Sequence, residues 1–233
     1  MKIKNILITI ALTAGFSAAA SAAVTEGEDY EVLKKPVPQL HKDKIEVLEF
    51  FGYFCIHCKH LDPIIQKHAK AFPSDTYFRT EHVVWDAEVH TGLARLTAAV
   101  NKTGLKQQAN PAIFSAIFDK KINLADIPTA KKWLAEQTSF DGKKVIAALD
   151  AFDNQTEAKK MADLTAEYGI DGTPTVIVGG KYKVIFKQNF DGSMQTIDEL
   201  VQKVRDERQM KAPAPQKPAK SKGAGLVQQS LAR

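Results

Sequence analysis

Cys55 and Cys58 are the only two cysteines of the 233-residue chain, and they stand in the segment Phe54-Cys55-Ile56-His57-Cys58. A thiolate attacks a disulfide sulfur, and a second thiol resolves the mixed disulfide so formed. Two cysteines separated by two residues are therefore equipped for thiol-disulfide exchange. A structural staple is the competing use. The chain-entropy model gives a four-residue loop about 2 kcal/mol, against about 5 kcal/mol for a loop of about 100 residues. A bridge placed for stability would be placed elsewhere, so the spacing favours exchange. His57 lies between the two sulfurs, where an imidazole can donate a hydrogen bond or place positive charge beside a thiolate.

The elements that must hold this pair follow from the flanking pattern. Ile45 to Phe51 (IEVLEFF) is a short apolar run fit for a buried strand, with Glu46 and Glu49 as its polar exceptions. The chain turns through Gly52 to Phe54. From Cys55 to Phe72 apolar residues recur at Leu61, Ile64, Ile65, Ala69 and Phe72, a helical period. Both cysteines thus fall in the first turn of a helix, where unpaired N–H groups and the positive dipole end favour a negative charge. The Cys55 pKa is expected to be depressed. Thr76 to Trp85 is rich in β-branched and aromatic residues and predicts a second strand. Strand, helix and strand open an α/β layer with a right-handed parallel crossover. From about Glu88 to Tyr168 the pattern is helical, punctuated by Gly104, Asn110-Pro111, Ile127-Pro128, Asp141-Gly142 and Asp153-Asn154. Strand signals return at Gly172 to Val178, followed by a Gly179-Gly180 hairpin turn and a return strand over 181–186. Thr196 to Arg208 predicts a closing helix capped by Thr196.

The two ends are of another kind. Residues 1–22 combine Lys2 and Lys4, an apolar run from about Ile6 to Phe16 and small residues at the end, the pattern of a secretory signal peptide. The apolar run is too short for a membrane span. Residues 211–233 carry three prolines, four lysines and no acidic residue, the composition of a disordered basic tail. Seven of the 32 lysines and arginines lie in the ends, leaving 25 against 27 acidic residues in the body. The basic balance therefore belongs to the ends. A nucleic-acid groove needs the opposite distribution, so no nucleic-acid partner is expected.

The segment VLEFFGYFCIHC resembles the active-site segment of the DsbA family, periplasmic thioredoxin-fold enzymes that donate disulfides to newly exported chains. The order of strand, motif, helical insertion and Gly-x-Pro strand also matches, from about Glu26 to Arg208. The resemblance implies an α/β thioredoxin fold with an inserted helical domain. Its first part spans 23–87, the insertion 88–165 and its second part 166–210. It implies Cys55 as nucleophile, Cys58 as shielded resolving thiol and His57 as the residue tuning oxidising power. Glu49, six positions before Cys55, matches a buried acid beneath the motif, and burial raises a carboxyl's pKa into a range useful for proton transfer. Pro174 matches a cis proline beside the cysteines, with Thr173 presenting its backbone to substrate and Ile56 bordering the same site. Expected partners are unfolded or partly folded exported proteins with free cysteines and a DsbB-like membrane quinone-linked oxidase. A periplasmic monomer with no cofactor and no metal is expected.

The chain departs from the family in four places. Ile56 stands where many members have proline. The lysine often paired with the buried acid is replaced by Thr80 or Glu81. Pro63 resembles the kink proline of thioredoxin, and the basic tail is an addition. Two other readings compete. A reductase or isomerase shares the chemistry, although known periplasmic isomerases carry a dimerisation domain for which this chain has no room. A metal-binding protein using Cys55, Cys58, His57 and His60 lacks a second ligand cluster far away in sequence.

Overall fold

The computed structural model describes residues 24–187 and 190–213. The signal-peptide expectation over 1–22 and most of the tail expectation over 211–233 lie outside the described residues. In chain order, strands β1 (Tyr30–Val32) and β2 (Ile45–Phe51) lead into helix α1 (Ile56–Ala69), and strand β3 (Thr76–His82) follows. Five helices come next: α2 (Ala87–Thr103), α3 (Lys106–Phe118), α4 (Ile127–Ala135), α5 (Gly142–Leu149) and α6 (Asn154–Glu167). Strands β4 (Thr175–Val178) and β5 (Tyr182–Val184) and helix α7 (Phe190–Glu207) complete the order.

The sheet runs β1-β5-β4-β2-β3, with β2 and β3 parallel and the other pairs antiparallel. Strand β2 sits between β3 and β4, and all seven of its residues are buried. That explains its nearly continuous apolar run. One face packs Val47, Val176 and Val178 against Leu61 and Ile65 of α1 and Ile197, Leu200 and Val204 of α7. The α2–α5 helices build a second core around Leu96, Phe114, Trp133 and Leu149, and Phe51, Tyr53, Cys55 and Cys58 belong to it. The cysteines therefore lie at the seam between the sheet layer and the helical layer.

The expected α/β thioredoxin architecture with helices between its two halves is the one observed. Details differ for identifiable reasons. Strand β1 is only three residues long and forms by pairing with β5, a tertiary effect that no local period signals. Helix α7 starts at Phe190, so Thr196 is interior and not a cap; Ser193 and Met194 are buried and extend the apolar face toward the N-terminus. Asn110-Pro111 does not break the chain. Helix α3 continues through Pro111, and the Asn110 side chain bonds across to Tyr53 and Asp62. The Gly179-Gly180 turn forms as expected, with φ of 64° and 71°, positive values that glycine adopts without strain, and Val178 pairs with Tyr182 across it.

Helix α2 approaches the α3–α4 connection through Gly92, where a Cβ would lie 1.8 Å from the carbonyl oxygen of Ala125. Backbone cannot yield as a side-chain tip can. Gly92→Ala is expected to destabilise the fold by about 1–3 kcal/mol, lowering the urea midpoint with an unchanged denaturant slope. A midpoint equal to the unsubstituted protein's would show that this approach is not tight.

Candidate active site

Strand β2 ends at Phe51, and the turn Gly52–Phe54 delivers Cys55 to the N-cap of α1 with φ −93° and ψ 116°. The turn is held from behind by His82. Its Nε2 accepts the Tyr53 backbone N–H at 3.1 Å, and its Nδ1 lies 2.7 Å from the carbonyl of Val83. Those partners fix a neutral ring with the proton on Nδ1. Burial agrees, pushing the His82 pKa down to about 3.

At the cap, Cys55 Sγ accepts the Cys58 backbone N–H at 3.1 Å, the bond that an oxygen makes at an ordinary helix start. Cys55 Sγ also lies 3.4 Å from the carbonyl oxygen of Thr173, the residue before Pro174. The Thr173–Pro174 peptide bond is cis. Both thiols are unbridged. The Cys55 pKa falls from 9.0 to about 6. The Cys58 thiol hydrogen bond lowers it most, burial opposes, and the Thr173 side chain and the N–H groups of Cys58 and His57 lower it further. Cys58 is fully buried, and burial drives its pKa far above the thiol range, reinforced by Cys55 and Glu49. One sulfur is thus a thiolate at neutral pH and the other a protonated thiol.

Glu49 is 3% exposed in the middle of β2, opposite Thr80 on β3 and Val176 on β4. Burial, then the Asp62 charge, raises its pKa to about 8, with Lys106 opposing and Cys55 adding a little. The His57 and Ile56 side chains are exposed beside the sulfur, and His60 is exposed further along α1. Among the described residues no group of three or more His, Cys, Asp or Glu side chains is placed to hold a metal ion.

Several neighbours were not singled out from sequence. Asp62 follows Cys58 by one helical turn, is buried, and accepts from Gln66 and Asn110 at 2.7 Å each; burial raises its pKa. Its i+4 spacing was a usable signal. Lys106, the first residue of α3, donates from Nζ to Thr80 Oγ1 at 2.7 Å. Thr80 is the register partner of Glu49, so a lysine ammonium does stand near the buried acid, delivered by a helix and not by the strand. No local pattern announces that. Phe54 stacks on His90 with ring centroids 4.4 Å apart and leans on Trp85 at 5.6 Å. Ile56, Trp85 and Val89 are exposed, which leaves an apolar rim near the cysteines.

The family model for a DSBA-like thioredoxin domain matches residues 86–198. A thiol:disulfide interchange protein DsbA of Burkholderia cepacia is 35% identical over 211 residues, 88% of this chain and 98% of that protein. Among solved structures, the oxidoreductase NmDsbA1 from N. meningitidis is 54% identical with a TM-score of 0.77, covering 79% of this chain and 96% of its own. The oxidoreductase NmDsbA3 from Neisseria meningitidis is 59% identical with a TM-score of 0.74, covering 80% and 100%.

A thiol whose folded pKa is depressed contributes stability that is fully present above its unfolded value, and that stability is lost as pH falls through the folded value. The reduced protein is therefore expected to gain stability relative to the oxidised one as pH rises from about 6 towards 9, and to lose that gain above pH 9, where the raised Cys58 pKa makes ionisation favour the unfolded chain. Ultraviolet thiolate absorbance should titrate with the same midpoint. A midpoint near the ordinary thiol value would contradict the cap geometry.

Proposed function

Since the chain belongs to the DsbA family of thioredoxin-fold thiol-disulfide oxidoreductases, we propose that it runs in the oxidising direction, donating its Cys55–Cys58 disulfide to newly exported proteins in the periplasm. The observation that carries this is the Cys55 thiolate held at the N-cap of α1 by the Cys58 thiol and N–H. Whatever stabilises the thiolate stabilises the reduced form, and a stabilised reduced form makes the disulfide a stronger oxidant.

The reaction follows from the burial difference. A substrate thiolate attacks Cys55 Sγ, the more exposed sulfur, forming a mixed disulfide and expelling Cys58 as a thiolate that takes up a proton. A second substrate thiolate then attacks the substrate sulfur of the mixed disulfide. The substrate disulfide closes and Cys55 leaves as its stabilised thiolate. The two electrons gained by the cysteine pair pass onward to a DsbB-like quinone-linked membrane protein.

In this reading the Thr173 backbone and Ile56 border the substrate chain, with Pro174 setting the Thr173 carbonyl beside Cys55. His57 tunes the thiolate from the solvent side. The helical layer, residues 88–165, is a unit inserted between the two parts of the thioredoxin domain, 23–87 and 166–210. Cleavage after residue 22 releases a periplasmic protein.

Oxidised protein mixed with an equimolar reduced peptide carrying two cysteines is expected to convert the peptide to its disulfide nearly completely. Cys55→Ser should abolish the transfer, and Cys58→Ser should stall it because no Cys55–Cys58 disulfide exists. Reduced protein that instead opens peptide disulfides, leaving the dithiol peptide at equilibrium, would favour a reductase.

A further inference from the structure

Two walls meet at Cys55 Sγ: the active-site turn, which delivers the sulfur, and the loop from Ile170 to Pro174, whose Thr173 carbonyl oxygen lies 3.4 Å from it. The loop is held at its ends. Ile170 donates its N–H to the Thr165 carbonyl at 3.0 Å, and Thr175 pairs with Phe50 in the sheet. Between those ends side chains meet its carbonyls. Thr175 Oγ1 donates to the Gly172 carbonyl at 2.9 Å, from the loop's own strand. The indole N–H of Trp85 donates to the Ile170 carbonyl at 2.5 Å, from the β3–α2 connection 85 residues earlier in the chain. Trp85 is itself fixed, because the Val84 N–H donates to Thr165 Oγ1 at 3.1 Å on one side and Asp86 caps α2 on the other. Its ring leans on Phe54, the residue before Cys55, with centroids 5.6 Å apart. Phe54 is pinned in turn, stacked on His90 at 4.4 Å and folded over Gly52, where a Cβ would come within 2.7 Å of the Phe54 ring.

We propose that Trp85 is a positioning residue for thiol-disulfide exchange: its N–H on Ile170 and its ring on Phe54 tie the Thr173 loop to the active-site turn and set where a substrate chain lies relative to Cys55 Sγ. The inference rests on Cys55 as the sulfur that meets substrate and on the Thr173 backbone as the strip beside the substrate chain. It holds for oxidation and reduction alike. When the disulfide opens, a substrate thiolate bonds to Cys55 Sγ as the Cys55–Cys58 bond breaks, and the electron pair of that bond goes to Cys58, which takes up a proton. Attack must come nearly in line with the breaking bond, from the side away from Cys58. A substrate cysteine reaches that line only when its backbone is held at one distance from Cys55, and an error of about 1 Å costs on the order of a hundredfold in rate.

The placement is that of a strut and not of a core side chain. Trp85 keeps 46% of its surface exposed and belongs to no buried cluster among the described residues. An indole so exposed could give its N–H to water, yet the N–H is committed to a backbone carbonyl. The Ile170 side chain is buried against Phe50, Val83 and Ile177, which fixes the position of that residue. Trp85 fixes its direction. Because a peptide unit is planar, holding the Ile170 carbonyl oxygen sets the plane through which the chain leaves for Thr173. Beyond that plane packing is sparse: Asp171 is exposed, and a Cβ on Gly172 would touch nothing. The orientation of the Thr173 carbonyl therefore depends on how the chain departs from Ile170, and the indole bond controls that departure.

The test compares two thiols as openers of the oxidised protein, followed by acid quench and mass. One is a reduced peptide carrying a cysteine, whose backbone must be placed; the other is 2-mercaptoethanol, which has no backbone. Trp85→Phe keeps an aromatic ring and loses the N–H. It is expected to slow opening by the peptide by at least about tenfold and to leave the 2-mercaptoethanol rate in place, and Trp85→Ala should slow the peptide at least as much. A phenylalanine variant that the peptide opens at the full rate overturns the strut and leaves Trp85 as an apolar contact of substrate. Equal slowing with both thiols also overturns it, since the cysteine pair itself would then be disturbed. Should both substitutions prevent folding, 3-benzothienylalanine installed at position 85 replaces only the N–H, by sulfur: selective slowing of the peptide supports the proposal, and any other pattern overturns it. Opening rates are read here and not the final balance of thiol and disulfide, so the result stands apart from the direction of exchange, which the equimolar peptide reaction reads.

Discussion

The hydrogen bond from the Cys58 N–H to Cys55 Sγ is the interaction on which the rest depends. It places a sulfur where helices ordinarily place a serine, threonine or aspartate oxygen, so that the free N–H groups of the first turn meet a group that can carry negative charge. Everything upstream of the cap serves this geometry. Strand β2 is locked between two neighbours, and the neutral His82 ring fixes the turn that follows it. The Thr173 carbonyl oxygen lies 3.4 Å from the same sulfur. A shift of α1 relative to β2 would move the sulfur away from its donors and return it toward an ordinary thiol.

The second constraint is asymmetry of burial. Both cysteines are buried, but Cys55 keeps 9% of its surface and Cys58 none, and the reduced pair takes one protonation pattern: thiolate on Cys55, thiol on Cys58. That makes the outer sulfur both the point of attack and the better leaving group. It also creates a proton-transfer problem at the inner sulfur. Glu49, Asp62 and Lys106 come from three different elements, and all three have pKa values displaced by burial. The fold supplies buried titratable groups where the reaction leaves a buried proton to move.

How much of this the sequence disclosed depended on whether the signal was local. The cysteine pair, β2 and α1 are each set by residues adjacent in the chain, and the spacing and period revealed them. Glu46 and Glu49 both stood out as acids in an apolar strand, and it was the family resemblance, not the pattern, that singled out Glu49. Elements formed by partners far away were not visible: β1 exists because β5 pairs with it, and α7 extends past Thr196 because Ser193 and Met194 meet the core. Lys106 is the sharpest instance. At the start of α3 it is one more lysine in a polar stretch, and only the docking of α3 brings its amine to Thr80. Asn110-Pro111 misled for the same reason, since a pair that breaks isolated helices is held within α3 by bonds to Tyr53 and Asp62.

The most direct measurement is the equilibrium reduction potential of the Cys55–Cys58 pair against glutathione buffers over a range of pH. The account predicts a potential more oxidising than about −180 mV at neutral pH. It also predicts that the slope of potential against pH changes near the Cys55 midpoint of about 6, where the reduced form gains a second proton. A potential near about −270 mV, or a slope with no change until the ordinary thiol range, would contradict it.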